Sequence, residues 1–113
     1  MNIQIFGSRK SFDTKKAERY FKERRVPYQF IDMKEKGMSR GEFASIQKAV
    51  GGLDAMLDPA CKDKDLLALL QYLSPADREE KALANPQVFK TPVVRNGRQA
   101  TIGYCPDVWK GWE

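Results

Sequence analysis

The sequence of 113 residues contains no histidine and only two cysteines, Cys61 and Cys105. Without histidine, a chain cannot form a Ser-His-Asp triad, a Cys-His dyad or a histidine-based zinc site. The two cysteines lie far apart in the sequence, so they form neither a CxxC redox pair nor a cluster of metal ligands. In a cytoplasmic chain we expect them to be thiols. The sequence therefore predicts no metal site.

The sequence also lacks long apolar runs, internal repeats and low-complexity segments. Its longest apolar run, residues 66–70, is far shorter than the roughly 20 residues that a membrane-spanning helix needs. The N-terminus has no charged segment followed by an apolar one, as a signal peptide would have. We therefore expect a cytoplasmic protein without a membrane partner, folded as a single domain over residues 1–113.

The basic residues, such as Lys15-Lys16 and Arg24-Arg25, are interspersed with acidic ones and form no uninterrupted basic tract. The chain has 20 Lys and Arg against 15 Asp and Glu, a formal net charge of +5. A nucleic-acid surface needs a basic stripe on one face, and only residues 8–16 hint at one. The composition therefore argues against nucleic acid and favours an ordinary soluble surface.

The N-terminal segment is typical of a strand, a basic loop and the first turn of a helix. Ile3 and Ile5 alternate with polar residues, as in a strand with one better-buried face. Asp13 or Thr14 is expected to cap the helix that follows. The loop before it is basic and runs into a helix N-terminus, so two interpretations are open: an anion site or a solvated connector.

Residues 27–32 are rich in aromatic and branched side chains and predict a second strand, parallel to the first because a helix connects them. Capping residues then indicate three helix starts within residues 39–85: Ser39 with Glu42, Asp58 with Pro59, and Ser74 with Pro75. Asn96-Gly97 is a strong hairpin signal between two further strands. Pro106 is placed to open a last helix, whose Trp109 and Trp112 are expected to be core or anchor residues.

The order of elements and several short strings resemble the ArsC/Spx family of arsenate-reductase-like proteins. Residues 13–17 read Asp-Thr-Lys-Lys-Ala, close to the start of the first helix in that family. Residues 91–94 read Thr-Pro-Val-Val and resemble the family's Arg-Pro-Ile-Val segment. The resemblance implies an α/β, thioredoxin-like fold with a mixed four-stranded sheet, a helical insert at about residues 39–85 and a cis peptide at Thr91-Pro92.

The same resemblance exposes departures at the residues that carry the family's chemistry. Ser11 falls at or beside the family's nucleophilic cysteine, and a serine hydroxyl is a much weaker nucleophile than a thiolate. Thr91 and Cys105 fall where the reductases have arginines that hold the oxyanion. Because nucleophile and arginine cage are both missing, we expect no ordinary arsenate reductase activity.

Five residues are candidates for binding an anion or another ligand: Arg9, Lys10, Ser11, Thr91 and Pro92. Ser11 is either a polar residue of the helix start or an anion ligand beside the two cations. Cys105 is the candidate thiol, because it precedes Pro106 and the positive end of a helix stabilises a thiolate. It is otherwise a half-buried, inert residue. Cys61, expected in a helical surface stretch, is given no role.

Three functions follow from these residues. The first is a regulatory or protein-binding domain; by analogy with Spx, the partner would be the C-terminal domain of the RNA polymerase α subunit. The second is a glutathione- or thiol-dependent oxidoreductase that uses Cys105 and needs no cofactor other than glutathione. The third is binding of nucleic acid through the basic first loop.

Overall fold

The computed structural model describes residues 1–112. It contains four strands, five α-helices and two short 3-10 helices. The strands are β1 (Ile3–Gly7), β2 (Tyr28–Asp32), β3 (Val93–Asn96) and β4 (Gln99–Ile102). The α-helices are α1 (Phe12–Glu23), α2 (Arg40–Val50), α3 (Lys64–Leu70), α4 (Pro75–Ala84) and α5 (Pro106–Lys110), and the 3-10 helices are Leu53–Met56 and Pro86–Val88.

The strands form one mixed sheet in the order β2-β1-β3-β4. As predicted, β1 and β2 are parallel, with Ile3 opposite Tyr28 and Ile5 opposite Phe30. Strand β3 runs antiparallel to both β1 and β4. The predicted hairpin is present, but Asn96 pairs with Gln99, so the turn residues are Gly97 and Arg98. The α/β, thioredoxin-like fold with a mixed four-stranded sheet is confirmed.

Each face of the sheet is covered by its own set of helices. On one face, Ile3, Ile5 and Val94 pack against α1 and α5, with Trp109 fully buried. The indole Nε1 of Trp109 donates a hydrogen bond to Thr101 Oγ1 at 2.8 Å, so its polar atom is satisfied. Phe6, Ile31 and Val93 face the other way, against α2, α3 and α4, which lie in the segment between β2 and β3.

Strand β1 is buried on both faces, which differs from the expected strand with one better-buried face. Ile5 and Phe6 point to opposite sides and are both inaccessible to solvent. The difference arises because β1 lies between β2 and β3, with helices on either side. The local alternation of Ile3 and Ile5 with polar residues could not reveal this position.

Two predicted helix starts are wrong. Ser11 caps α1, not Asp13 or Thr14, and its Oγ accepts a hydrogen bond from the Thr14 N–H. Asp58 and Pro59 form a turn, because the Asp58 side chain accepts from the Ala60 N–H. Helix α3 begins later, where Asp63 Oδ1 accepts from the Leu66 N–H at 3.2 Å.

The expectation for Cys61 is corrected by the same shift. The residue lies before α3 rather than in a helix, and its exposed fraction is only 8%. It packs with the core residues of the helical segment, including Leu66 and Leu70. Its neighbours Lys62 and Lys64 are exposed, which made the local sequence resemble a surface stretch.

A polar network connects the sheet to α2. The Gln4 amide donates to Glu42 Oε2 at 3.1 Å, and Arg95 Nη1 donates to Gln4 Oε1 at 2.8 Å. Burial opposes ionisation of Glu42, but hydrogen bonds from Ser39 and Gln4, with the charge of Arg95, outweigh it and lower the Glu42 pKa. The predicted capping box of Ser39 and Glu42 is confirmed.

Within residues 1–112, no helix combines the length and apolar character needed to cross a membrane.

Candidate functional site

The loop between β1 and α1, residues 8–11, is tightly folded against α1. Thr14 is fully buried, and its Oγ1 accepts a hydrogen bond from the Ser8 N–H at 3.3 Å. A Cβ atom on Gly7 would lie only 2.4 Å from Thr14 Cγ2. Glycine is therefore required here by the close approach of strand and helix.

Several polar groups of this loop already have partners inside the loop. The Ser11 N–H donates to the Ser8 carbonyl oxygen at 3.0 Å, and the Lys10 N–H donates to Ser8 Oγ at 3.2 Å. Ser11 Oγ accepts from the Thr14 N–H at 3.2 Å, as an N-cap does. The chain has no histidine that could act as a base for this hydroxyl. The geometry fits the interpretation of Ser11 as a helix-start residue.

The two cations of the loop do not converge on Ser11. The Arg9 guanidinium reaches β2, where Nε lies 3.7 Å from Asp32 Oδ2 and the group stacks 5.0 Å from the centre of the Phe30 ring. Lys10 is exposed. Part of the positive charge expected for an anion site is thus neutralised by a carboxylate at the sheet edge.

The Thr91-Pro92 peptide is cis, as the resemblance implied. Pro92 is buried, and its carbonyl oxygen accepts from the Gly103 N–H at 2.8 Å. Thr91 is half-buried and lines an open cavity of about 520 Å³. Ser8 lines the same cavity. The first loop and the cis peptide therefore meet at one site, which we call the loop cavity.

The remaining lining of the loop cavity comes from three segments: Met33 and Lys34 after β2, Asp58, and the residues just before Thr91, which are Pro86, Gln87 and Phe89. Lys34 and Asp58 carry opposite charges, so the lining has no net charge. An oxyanion held in a protein is usually met by several cations or N–H donors. Within residues 1–112, neither an arginine nor a cysteine lines the loop cavity.

Among the sequence candidates, Thr91 lines the loop cavity, whereas Arg9, Lys10, Ser11 and Pro92 do not. The sequence analysis missed Ser8, Lys34, Asp58 and Gln87. Ser8 could have been found, because it lies in the loop already singled out. The others follow no local motif, since the fold brings them together from three separate segments.

Cys105 lies after β4 on the face of the sheet that α1 and α5 cover. It is half-buried, occupies the N-cap position of α5 and makes no capping hydrogen bond. Its thiol instead donates to the Ile102 carbonyl oxygen at 3.3 Å. The thiol is thus engaged with the end of β4 and does not line the loop cavity.

No family model and no curated protein matches this chain. An ArsC family related protein from Bacteroides fragilis superposes with a TM-score of 0.85 at 15% identity, covering 100% of this chain and 98% of that one. The chain has the ArsC-type thioredoxin fold.

Two further solved structures have this ArsC-type fold. The arsenate reductase from Vibrio cholerae has a TM-score of 0.79 at 20% identity and covers 96% of this chain and 94% of its own. An ArsC-related protein from Brucella melitensis has a TM-score of 0.66 at 22% identity, with 99% and 94% covered. At such identities the likeness shows the fold, and the loop cavity has to be interpreted from its own residues.

Proposed function

We propose that this chain is a divergent ArsC/Spx-type protein that binds a protein partner and does not reduce arsenate. The observation that argues against arsenate reduction is the lining of the loop cavity. In the described part of the chain this lining contains one lysine and one aspartate, and neither a cysteine nor an arginine. Arsenate reduction by the thiol route needs a thiolate as nucleophile and cations around the oxyanion.

The state of Ser11 supports the same proposal. By resemblance it stands at the nucleophile position, and its hydroxyl oxygen is used to accept the Thr14 N–H. A serine in that role contributes to helix stability, by about 1 kcal/mol for a typical N-cap. Arg9 Nε lies 3.7 Å from Asp32 Oδ2, so a carboxylate offsets part of its charge.

Steady-state arsenate reduction, measured with glutathione and glutaredoxin, tests the enzymatic half of the proposal. We expect turnover no faster than with heat-denatured protein, with the arsenate reductase from Vibrio cholerae as the positive control. The Ser11→Cys variant should remain inactive, because the cations around the oxyanion would still be missing. Turnover well above the denatured control would contradict the proposal.

The binding half is tested by affinity capture with the purified chain, followed by cross-linking of the recovered partner. The purified C-terminal domain of the RNA polymerase α subunit is the defined probe suggested by the resemblance to Spx. A saturable complex with a mapped surface supports the proposal. Glutathione-dependent activity that is lost in Cys105→Ser would favour the thiol oxidoreductase instead.

A further inference from the structure

The positive net charge of the chain is concentrated in one segment. Residues 9–25 contain eight Lys and Arg against three Asp and Glu, whereas the remaining residues contain twelve of each sign. The formal net charge of +5 therefore belongs to the segment that holds the first loop and α1. Such a local excess attracts acidic partners and accelerates their association.

A groove of about 470 Å³ between α1 and α5 collects part of this charge. We call it the α1–α5 groove. Its cations are Lys16, Arg19, Arg24 and Lys110, and its carboxylates are Glu23 and Asp107. The three ion pairs found within residues 1–112 include none of these four cations. Their charge is thus available to a partner.

Two of these cations lie over aromatic rings. The Arg24 guanidinium carbon lies 3.7 Å from the centre of the Tyr20 ring, and Nη1 donates to the Tyr20 carbonyl oxygen at 3.3 Å. Lys16 Nζ lies 5.7 Å from the centre of the Tyr104 ring. That ring meets the fully buried Trp109 edge-on at 5.5 Å and remains 41% exposed. Side chains that are already held lose less entropy when a ligand binds.

We propose that the α1–α5 groove binds an acidic segment of a protein partner, a proposal that rests on the protein-binding function given above. Carboxylates of the segment pair with the four cations, and an apolar side chain packs on the exposed Tyr104 ring. Glu23 and Asp107 favour a peptide over a nucleic acid. A nucleic acid carries a phosphate at every nucleotide, whereas a peptide can place neutral or basic residues opposite these two carboxylates.

The test is fluorescence anisotropy at physiological ionic strength with a labelled peptide of Asp and Glu that contains one central phenylalanine. Lys16→Glu/Arg19→Glu reverses two charges of the groove. Lys15→Glu/Lys22→Glu is the matched control, because it makes the same change in net charge on the same helix at residues that do not line the groove. Circular dichroism verifies that both variants are folded.

We expect the groove variant to weaken peptide binding by about fivefold or more, and the control to change it by less than about twofold. Equal losses in the two variants would reduce the effect to net charge and overturn the proposal. So would tighter binding of a single-stranded oligonucleotide of equal charge, or no binding of the peptide. A natural partner mapped to another surface would overturn the α1–α5 groove as the binding site but leave the protein-binding function standing. Arsenate turnover would contradict the proposed function and would not test the groove.

Discussion

Replacing Gly7 by alanine should destabilise the protein, because Thr14 already fills the space beside it. The added Cβ would lie 2.4 Å from Thr14 Cγ2 and 2.8 Å from Oγ1, whereas non-bonded carbon atoms prefer about 3.5–4.0 Å. Thr14 is fully buried and held at two points, by the Ser8 N–H on its Oγ1 and by Ser11 Oγ on its own N–H. It cannot move aside without losing one of these bonds.

The expected cost has two parts. Overpacking a filled interior typically costs about 1–3 kcal/mol. A rotation of Thr14 that relieves the clash would break the Ser8–Thr14 hydrogen bond, which adds about 1 kcal/mol. We therefore expect Gly7→Ala to lower the free energy of unfolding by about 2–4 kcal/mol. Urea denaturation at 25 °C, followed by tryptophan fluorescence, measures this change.

Gly41→Ala is the matched control, because Gly41 lies in α2 and a Cβ there would meet nothing within 4 Å. We expect this change to raise the free energy of unfolding by about 0.5–1 kcal/mol. Adding Thr14→Ala to Gly7→Ala should recover part of the loss, with a coupling energy of about 1 kcal/mol or more. A Gly7→Ala variant as stable as the wild type would refute the reasoning, and so would a double-mutant cycle of Gly7→Ala and Thr14→Ala with no coupling energy.

Three further predictions concern titration and thiol reactivity. The pKa of Glu42 is lowered from its ordinary value of 4.5, so its ionised form stabilises the fold above about pH 4.5 and this stabilisation is lost as the pH falls further. Urea denaturation at several pH values should therefore show that Glu42→Gln loses less free energy of unfolding in acid than the wild type does. Burial and the hydrogen bond to Glu18 raise the pKa of Tyr28 to about 12 from 10.0. This stabilisation is present below pH 10 and is lost as the pH rises from 10 towards 12, so Tyr28→Phe should lose less stability there; an unchanged alkaline profile would contradict this. Cys105 should react with iodoacetamide at pH 7 faster than Cys61, which is 8% exposed, and mass spectrometry would locate the label; equal rates would count against any thiol chemistry at Cys105.

The sequence alone determined the elements and their order. Its signals are local: the capping box of Ser39 and Glu42, the hairpin signal at Asn96-Gly97 and the proline that opens α5 each act through residues a few positions apart. Local signals were ambiguous where two candidates compete. Ser11 took the cap expected of Asp13 or Thr14, because its extended backbone lets Oγ reach the Thr14 N–H.

The tertiary structure alone decided what surrounds each candidate residue. Whether Arg9 is free for an anion depends on Asp32, which belongs to the neighbouring strand. The lining of the loop cavity and of the α1–α5 groove likewise comes from segments that the sheet and its crossovers bring together. Side-chain periodicity specifies which face of an element is apolar, but only packing specifies which charges and rings meet there.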